Sequence, residues 1–245
     1  MDAYISEIQY FCTHDGPGIR TTIFFVGCPL ACTWCHNPEC SILAEQCMQP
    51  GSPIPGKRIS AESIVTEVHK ELPFYGETGG VTCSGGEPLA QPAAVASVLE
   101  GCKKLGITTA VETSLYAEWN TIFSLIPLVD LWIVDVKSMR NHIHMEYTGK
   151  GNGLILENLN KLISRAPAIW VRMPIIPGVQ SLEDIDLLSA YLENKKAVKR
   201  IELIPFHLLG KEKYEIFGTK CTYPSGREPT QDEIGAYYSR LRRKI

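Results

Sequence analysis

The chain has 245 residues, of which 44% are hydrophobic and 21% are charged, and this composition is ordinary for a folded globular protein. Its formal net charge is −3, and no dense run of Lys and Arg occurs before the last few residues, 240–244. We therefore predict no nucleic-acid partner. The apolar stretch 22–30 is too short to span a bilayer and lacks the features of a signal peptide, so we predict no membrane partner.

Nine cysteines are an odd number in a chain that is too large to need disulfide bonds for stability. We predict a cytoplasmic protein with reduced thiols. Some of these thiols would pack as small hydrophobic groups, and others would bind metal.

Six short apolar segments alternate with helical patterns along the chain. The strands are predicted at residues 21–26, 80–84, 108–112, 128–135, 168–174 and 201–205. Periodic apolar residues predict helices at 92–105 and 182–193, and Ser60 is a predicted helix start. This alternation predicts parallel strands joined by helices. The pattern leaves two architectures open, a barrel and a doubly wound sheet.

One segment between the predicted strands differs from the others in composition. Residues 37–58 are rich in Pro and Gly, which predicts a surface loop or small excursion.

Directly after the first predicted strand comes Cys28-Pro-Leu-Ala-Cys32-Thr-Trp-Cys35. Three thiolates this close together can bind one metal centre and leave one coordination position open. The alternative is a structural zinc site with His36 as fourth ligand, although zinc sites usually show paired C-x2-C spacings.

This C-x3-C-x2-C spacing, with Trp34 before the last cysteine, resembles the signature of the radical S-adenosylmethionine superfamily. The segments Asp15-Gly-Pro-Gly-Ile-Arg20 and His36-Asn37 resemble, more narrowly, the glycyl radical enzyme activating enzymes. The resemblance covers nearly the whole chain. It implies a partial (β/α)6 TIM-like barrel in a single domain, 1–245, without a ferredoxin-like insert. It also implies one [4Fe–4S] cluster on Cys28, Cys32 and Cys35.

The segment Ser84-Gly85-Gly86-Glu87-Pro88 resembles the superfamily motif whose backbone contacts the methionine part of S-adenosylmethionine. Residues without Cβ allow such a close backbone approach. The resemblance therefore implies that Gly85, Gly86 and Glu87 bind this cofactor. A simple strand-to-helix turn is the alternative interpretation.

Other residues match the family at the ends of later strands. Asp135 and Lys137 resemble its D-x-K, where the lysine pairs with the cofactor carboxylate and the aspartate helps to bind a monovalent cation. A surface ion pair is the alternative. Glu112-Thr113-Ser114 lies where relatives carry Asp-Thr-Asn, and this difference puts the cation site in doubt although Glu112 remains a predicted binding residue.

Four more residues complete the predicted cofactor site. Arg172 matches a strand arginine that contacts S-adenosylmethionine, and a buried salt bridge is its alternative. His207 matches a histidine near the ribose or the peptide substrate, and a structural histidine is its alternative. Trp34 and His36 are predicted cofactor-binding residues because they flank the last cysteine of the motif.

The positions of the motifs along the chain also predict a common site, without reference to any family. The cysteine motif, the Gly-Gly turn and the charged residues all fall at or near the carboxyl ends of successive predicted strands. In a parallel barrel these ends share one face, so the motifs are expected to meet in one site.

The function that the resemblance implies is activation of a glycyl radical enzyme. Reductive cleavage of S-adenosylmethionine would give a 5′-deoxyadenosyl radical, which would take an α-hydrogen from a glycine in the partner's C-terminal glycine loop. A low-potential donor such as flavodoxin or ferredoxin would supply the electron. The alternatives are a radical enzyme acting on a small molecule, similar to carboxydeazaguanine synthase, an anaerobic ribonucleotide reductase activase, although those are typically shorter, and a zinc-stabilised interaction module.

The cysteines outside the motif are not predicted to bind a cluster. Cys102 lies on the apolar face of a predicted helix, and Cys83 precedes the Gly-Gly turn, so both are predicted to be packed in the core. Cys40 and Cys47 cannot hold a second [4Fe–4S] cluster by themselves, and we predict none.

Overall fold

The computed structural model describes residues 1–41, 56–218 and 220–241. Within them, eight strands form a single sheet in the order β3-β1-β2-β4-β5-β6-β7-β8. The bounds are β1 Asp2–Cys12, β2 Arg20–Phe25, β3 Lys57–Ser60, β4 Gly80–Gly85, β5 Thr108–Thr113, β6 Leu131–Asp135, β7 Ile169–Ile175 and β8 Val198–Pro205. Strand β1 runs antiparallel to β2 and β3, and each later pair from β2 to β8 is parallel.

The order of the parallel strands decides between the two predicted architectures. A doubly wound sheet reverses its strand order at a switch point, whereas a barrel adds each strand beside the previous one. Strands β2, β4, β5, β6, β7 and β8 follow one another without reversal, and β8 does not pair with β3. The predicted partial (β/α)6 barrel is therefore confirmed, with the six predicted strands as its wall.

Helices connect the strands. They are α1 Ala61–Lys70, α2 Leu72–Tyr75, α3 Pro92–Lys104, α4 Trp119–Leu125, α5 Asn141–Thr148, α6 Gly153–Ile163, α7 Leu182–Leu192, α8 Lys211–Ile216 and α9 Gln231–Arg240. Ser60 is the N-cap of α1, and its side chain accepts a hydrogen bond from the backbone N–H of Ser63. Helices α3 and α7 confirm the two periodic segments to within a residue. Within the described residues, no helix has both the length and the apolar character to cross a membrane.

Successive residues of the barrel strands point to opposite faces. Trp132 and Val134 of β6 belong to the large core between the sheet and its helices. Ile133, together with Ala110 and the partly buried Trp170, forms a smaller cluster on the inner face. Because side chains alternate along a strand, the residues two positions further along lie above this inner cluster. Those residues are Glu112, Asp135 and Arg172, and Glu202 on β8 is the register partner of Arg172.

Three expectations about the elements need correction. Strands β1 and β3 were not predicted, because β1 has two register shifts against β2 that break its alternation of apolar residues. The strand predicted to begin at Leu128 begins at Leu131, because a 3-10 turn at Ile126–Leu128 precedes it. The excursion predicted at 37–58 ends earlier, since Lys57 and Arg58 lie in β3. Its central part, with Cys47, falls outside the described residues.

Candidate functional site

A cavity of about 960 Å³ opens at the carboxyl ends of the parallel strands. This is the end of a barrel at which loops assemble active sites. Most of the predicted site residues line it. They are Cys28, Trp34, Cys32, Cys35, His36, Gly85, Gly86, Glu112, Asp135, Lys137, Arg172 and His207. The predicted convergence of the separate motifs on one face is therefore what the fold produces.

Backbone hydrogen bonds fix the loop that carries the three cysteines. The N–H groups of Ala31 and Thr33 donate to the carbonyls of Thr148 and Tyr147 at the end of α5, both at 2.9 Å. The N–H of Gly27 donates to the carbonyl of Cys40 at 2.8 Å. These hydrogen bonds fix the middle of the loop to α5 and join the residues that flank the loop, Gly27 and Cys40.

The three thiols lie in surroundings that disfavour a free negative charge. Burial raises the pKa of Cys28, Cys32 and Cys35, to about 12 for Cys32. A thiolate at these positions therefore needs positive charge nearby, which bound iron provides. Three cysteines and no fourth among the described lining residues match a [4Fe–4S] cluster with one iron open to a ligand.

The ligands of a single metal ion must lie closer together than those of a [4Fe–4S] cluster. Among residues 1–41, 56–218 and 220–241, no three His, Cys, Asp or Glu side chains are grouped to hold one ion. A [4Fe–4S] cluster attaches each thiolate to a different iron, so its ligands are spaced more widely than those of one zinc ion.

The two glycines of the Gly-Gly turn are required by contacts within the chain. Gly85 has φ +109°, and a Cβ there would lie 2.5 Å from the backbone N and O of Phe25. A Cβ on Gly86 would lie 2.4 Å from the carbonyl oxygen of Cys40. This tight packing lets the turn pass directly beneath the cysteine loop and line the cavity with backbone.

Glu87 lies behind the cavity wall and does not line it. The side chain is 1% exposed, and its carboxylate accepts hydrogen bonds from the Thr113 hydroxyl at 2.6 Å and the Ser114 hydroxyl at 2.6 Å. It also accepts from the backbone N–H of Ser114 and of Leu89. Burial raises the pKa of Glu87, while these hydrogen bonds act in the opposite direction. Glu87 therefore joins the Gly-Gly turn to the end of β5.

Lys137 and Asp135 form an ion pair inside the cavity. Lys137 Nζ lies 2.9 Å from Asp135 Oδ2, and the side chains are 19% and 23% exposed. Burial alone would lower the pKa of Lys137, but the charge of Asp135 and the hydrogen bond to it act in the opposite direction and raise it. The lysine is thus fully protonated and faces the cavity close to the cysteines.

Arg172 is the centre of a buried network. Its Nε donates to Glu202 at 2.7 Å, one terminal nitrogen donates to Glu112 at 2.5 Å, and the other donates to the carbonyl of His14. Glu112 also accepts a hydrogen bond from the Ser84 hydroxyl at 2.6 Å. Burial raises the pKa of Glu112, and the charge of Arg172 acts against that rise. Arg172 therefore forms the buried salt bridges of the alternative interpretation and also lines the cavity, while its contact with S-adenosylmethionine stays a prediction.

This network does not fit a monovalent cation on Glu112. One carboxylate oxygen already pairs with Arg172, and the other accepts from Ser84. The guanidinium group would repel a cation placed at the same oxygens. Arg172 supplies the positive charge there.

The aromatic residues next to the cysteines form a stack with the end of β8. The rings of His36 and His207 are 4.1 Å apart with 27° between their planes. Burial, together with the neighbouring His207, lowers the pKa of His36 to about 4. Trp34 is buried with Ile176 and Phe206. These residues form an apolar and aromatic part of the cavity wall.

Sequence reasoning missed Glu202 and Tyr214. Glu202 on β8 is the register partner of Arg172. It lies in a predicted strand, two residues after Arg200, and this inward-facing position could have identified it as a site residue. Tyr214, whose hydroxyl donates to the carbonyl of Cys35 at 2.8 Å, lies in α8, which at six residues is too short to show a periodic apolar pattern.

Comparisons with known proteins agree with this site. The model of the Radical SAM superfamily matches residues 22–189. The pyruvate formate-lyase-activating enzyme of Clostridium pasteurianum is 36% identical, with 86% of this chain and 85% of that protein covered. The (2S)-3-sulfopropanediol dehydratase activating enzyme of Klebsiella oxytoca is 34% identical, with 87% and 85% covered.

A solved structure shows the same fold. It is a domain of a pyruvate-formate lyase-activating enzyme from Bacteroides vulgatus, with a TM-score of 0.56 and 27% identity, covering 66% of this chain and 92% of that chain. The chain therefore belongs to the radical SAM superfamily. Within it, the chain belongs with the activating enzymes of glycyl radical enzymes, so the resemblance noted in the sequence is confirmed. Membership implies a [4Fe–4S] cluster and S-adenosylmethionine as cofactors.

Proposed function

We propose that this chain activates a glycyl radical enzyme by removing a hydrogen atom from a glycine of that partner. The observation that carries the proposal is one cavity lined by three cysteines, by the backbone of a Gly-Gly turn and by the buried ion pairs of Lys137 and Arg172. The relatives that are one third identical over most of the chain support the same function.

In this proposal, Cys28, Cys32 and Cys35 hold the cluster. When bound and reduced by a donor, the cluster would supply the one electron needed for cleavage of S-adenosylmethionine, and this cleavage would provide the hydrogen-abstracting group for the glycine. Lys137 binds the carboxylate of the cofactor, because it is a protonated amine facing the cavity beside the cysteines. The backbone of Gly85 and Gly86 borders the methionine part.

The other lining residues orient the cofactor and exclude water. Arg172 and Glu112 are fixed by mutual salt bridges, so their positions need no rearrangement when the cofactor binds. The apolar side formed by Trp34 and the stacked rings of His36 and His207 keeps water away from a radical that would attack most C–H bonds. Glu87 acts indirectly, by holding the Gly-Gly turn.

Several finer features of the proposal remain predictions. They are a flavodoxin or ferredoxin as electron donor, binding of the partner through its C-terminal glycine loop, a single domain over 1–245, a cytoplasmic location, and no nucleic-acid or membrane partner. No monovalent cation on Glu112 is included, because Arg172 takes that place.

The test uses protein prepared without oxygen. Iron and acid-labile sulfide are measured first, and the reduced protein is then mixed with S-adenosylmethionine and candidate glycyl radical enzymes. We expect a glycyl radical signal in the partner by electron paramagnetic resonance. Cys32→Ser should lose iron and activity. Cys221→Ser is the matched control, because Cys221 is a free thiol outside the described cavity lining.

Two outcomes would contradict the proposal. One is deoxyadenosine formation stimulated by a small molecule without a radical on any protein, which would favour the small-molecule enzyme. The other is stoichiometric zinc without sulfide, which would favour the structural zinc module.

A further inference from the structure

The helix α8 contacts the loop that carries the cysteines. Tyr214 of α8 donates its hydroxyl hydrogen to the carbonyl of Cys35 at 2.8 Å. Lys213 Nζ lies 2.5 Å from Glu39 Oε1 and 3.2 Å from Asn37 Oδ1. Glu39 and Asn37 follow the last cysteine by four and two residues, so α8 is tied to the stretch of chain that leaves the motif.

The Glu39 carboxylate depends on Lys213 for its charge balance. The Glu39 side chain is only 9% exposed, whereas that of Lys213 is 37% exposed. The second carboxylate oxygen, Oε2, is buried and has no hydrogen-bond partner among the described residues. A buried carboxylate with one partner is costly unless its ion pair is kept, so the position of this pair is well determined.

Both charges lie near the cysteine loop. Glu39 follows Cys35 by four residues and pairs with Lys213, and Tyr214, the next residue after Lys213, hydrogen-bonds to the Cys35 carbonyl. A nearby positive charge favours additional negative charge on a group bound at Cys35, such as the extra electron of a reduced cluster, and a nearby negative charge disfavours it. Positive charge near a cluster raises its reduction potential, and negative charge lowers it.

We propose that Lys213 and Glu39 are positioning residues that hold the cysteine loop against α8 and set the reduction potential of the cluster with opposite signs. The proposal rests on the proposed function only in that Cys35 binds the cluster. Neither Lys213 nor Glu39 is proposed to contact S-adenosylmethionine. Lys213 compensates Glu39, and the net effect of the intact pair on the potential is small.

The experiment is a redox titration of the reconstituted cluster, followed by electron paramagnetic resonance, without any partner protein. We expect Lys213→Met to decrease the ratio of reduced to oxidised cluster at a fixed potential by about threefold to tenfold. Glu39→Gln should increase the ratio, by less, because the remaining lysine is more exposed to water and its charge is screened.

The double variant Lys213→Met with Glu39→Gln should return the ratio to within about twofold of the unmodified protein, since both charges are removed together. It also provides a folded reference, because no unpaired buried charge remains. Lys213→Arg should retain the potential. Lys161→Met is the matched control: Lys161 is also 37% exposed and paired with a glutamate, but it lies on α6.

Two results would overturn the inference. Single variants that shift the potential in the same direction would indicate loosened structure instead of charge, and variants that leave it unchanged would show that the pair has no electrostatic role. A protein without iron and sulfide would instead refute the proposed function, so the two failures are distinguishable.

Discussion

Arg172 pairs with two buried carboxylates at once, Glu112 through one guanidinium nitrogen and Glu202 through another. The planar fork of an arginine makes this double pairing possible, and a lysine could not reproduce it. The sequence alone left Arg172 either as a cofactor contact or as a salt bridge. The structure shows both ion pairs in the cavity wall, where the same side chain is also open to a bound ligand.

The first prediction follows from this network and concerns the cation. Replacing all sodium and potassium by tetramethylammonium should change the dissociation constant of S-adenosylmethionine by less than about twofold, since Arg172 already pairs with Glu112 and Lys137 already pairs with Asp135. Equilibrium binding to the reconstituted protein measures this. A loss of affinity of tenfold or more that is restored by potassium alone would contradict the prediction, and rubidium in place of potassium tests the ion's size.

At the scale of elements, α5 supports the cysteine loop through the carbonyls of Tyr147 and Thr148. The end of this helix is fixed by His144, which is 1% exposed and whose Nδ1 lies 2.6 Å from the carbonyl of Lys150. Burial lowers the pKa of His144. The folded protein therefore favours the neutral imidazole at this position.

The second prediction is a pH dependence of stability. The lowered pKa means that the unfolded chain binds a proton more readily than the folded one, so the stability from His144 is present above the unfolded value of about 6.5. It is lost as the pH falls below that value. His144→Gln should weaken this acid-side loss of unfolding free energy, measured by urea unfolding between pH 7.5 and pH 5 without oxygen.

His142→Gln is the matched control for that prediction. His142 lies on the same helix and is exposed, so its replacement should leave the slope of stability against pH unchanged. Equal slopes for both variants and the unmodified protein would contradict the assignment to His144.

At the scale of the whole molecule, the cysteine loop joins several distant parts of the chain. It contacts α5 through backbone bonds, α8 through Tyr214, and the Gly-Gly turn through the hydrogen bond from the N–H of Glu87 to the carbonyl of Gly27. A group bound to the loop therefore stabilises elements from both halves of the barrel.

The third prediction uses this connection. Removing the cluster with a chelator under anaerobic conditions should lower the melting temperature by about 5–10 °C, because binding to the folded state contributes directly to its stability. Differential scanning calorimetry before and after removal measures the change. In Cys35→Ser, which lacks a cluster ligand, the same treatment should have no effect. An unchanged melting temperature in the unmodified protein would argue against a cluster on this loop.

The sequence was sufficient for the barrel strands and the cysteine motif because their signals are local. Runs of β-branched residues predict strands, and C-x3-C-x2-C is a spacing within eight residues. The added strands β1 and β3 were missed because β1 is bulged and β3 is short, so neither shows regular alternation.

Only the tertiary structure decided how the motifs are used. Glu87 was predicted as a cofactor contact from its motif, and the fold places it behind the wall, bonded to Thr113 and Ser114. The partners of Arg172 and the contact of Lys213 with Glu39 join residues that are far apart in the chain. Sequence determines which chemical groups are present and which strand each one follows. Their charges and hydrogen bonds depend on neighbours that only folding brings together, and a local pattern contains no record of those neighbours.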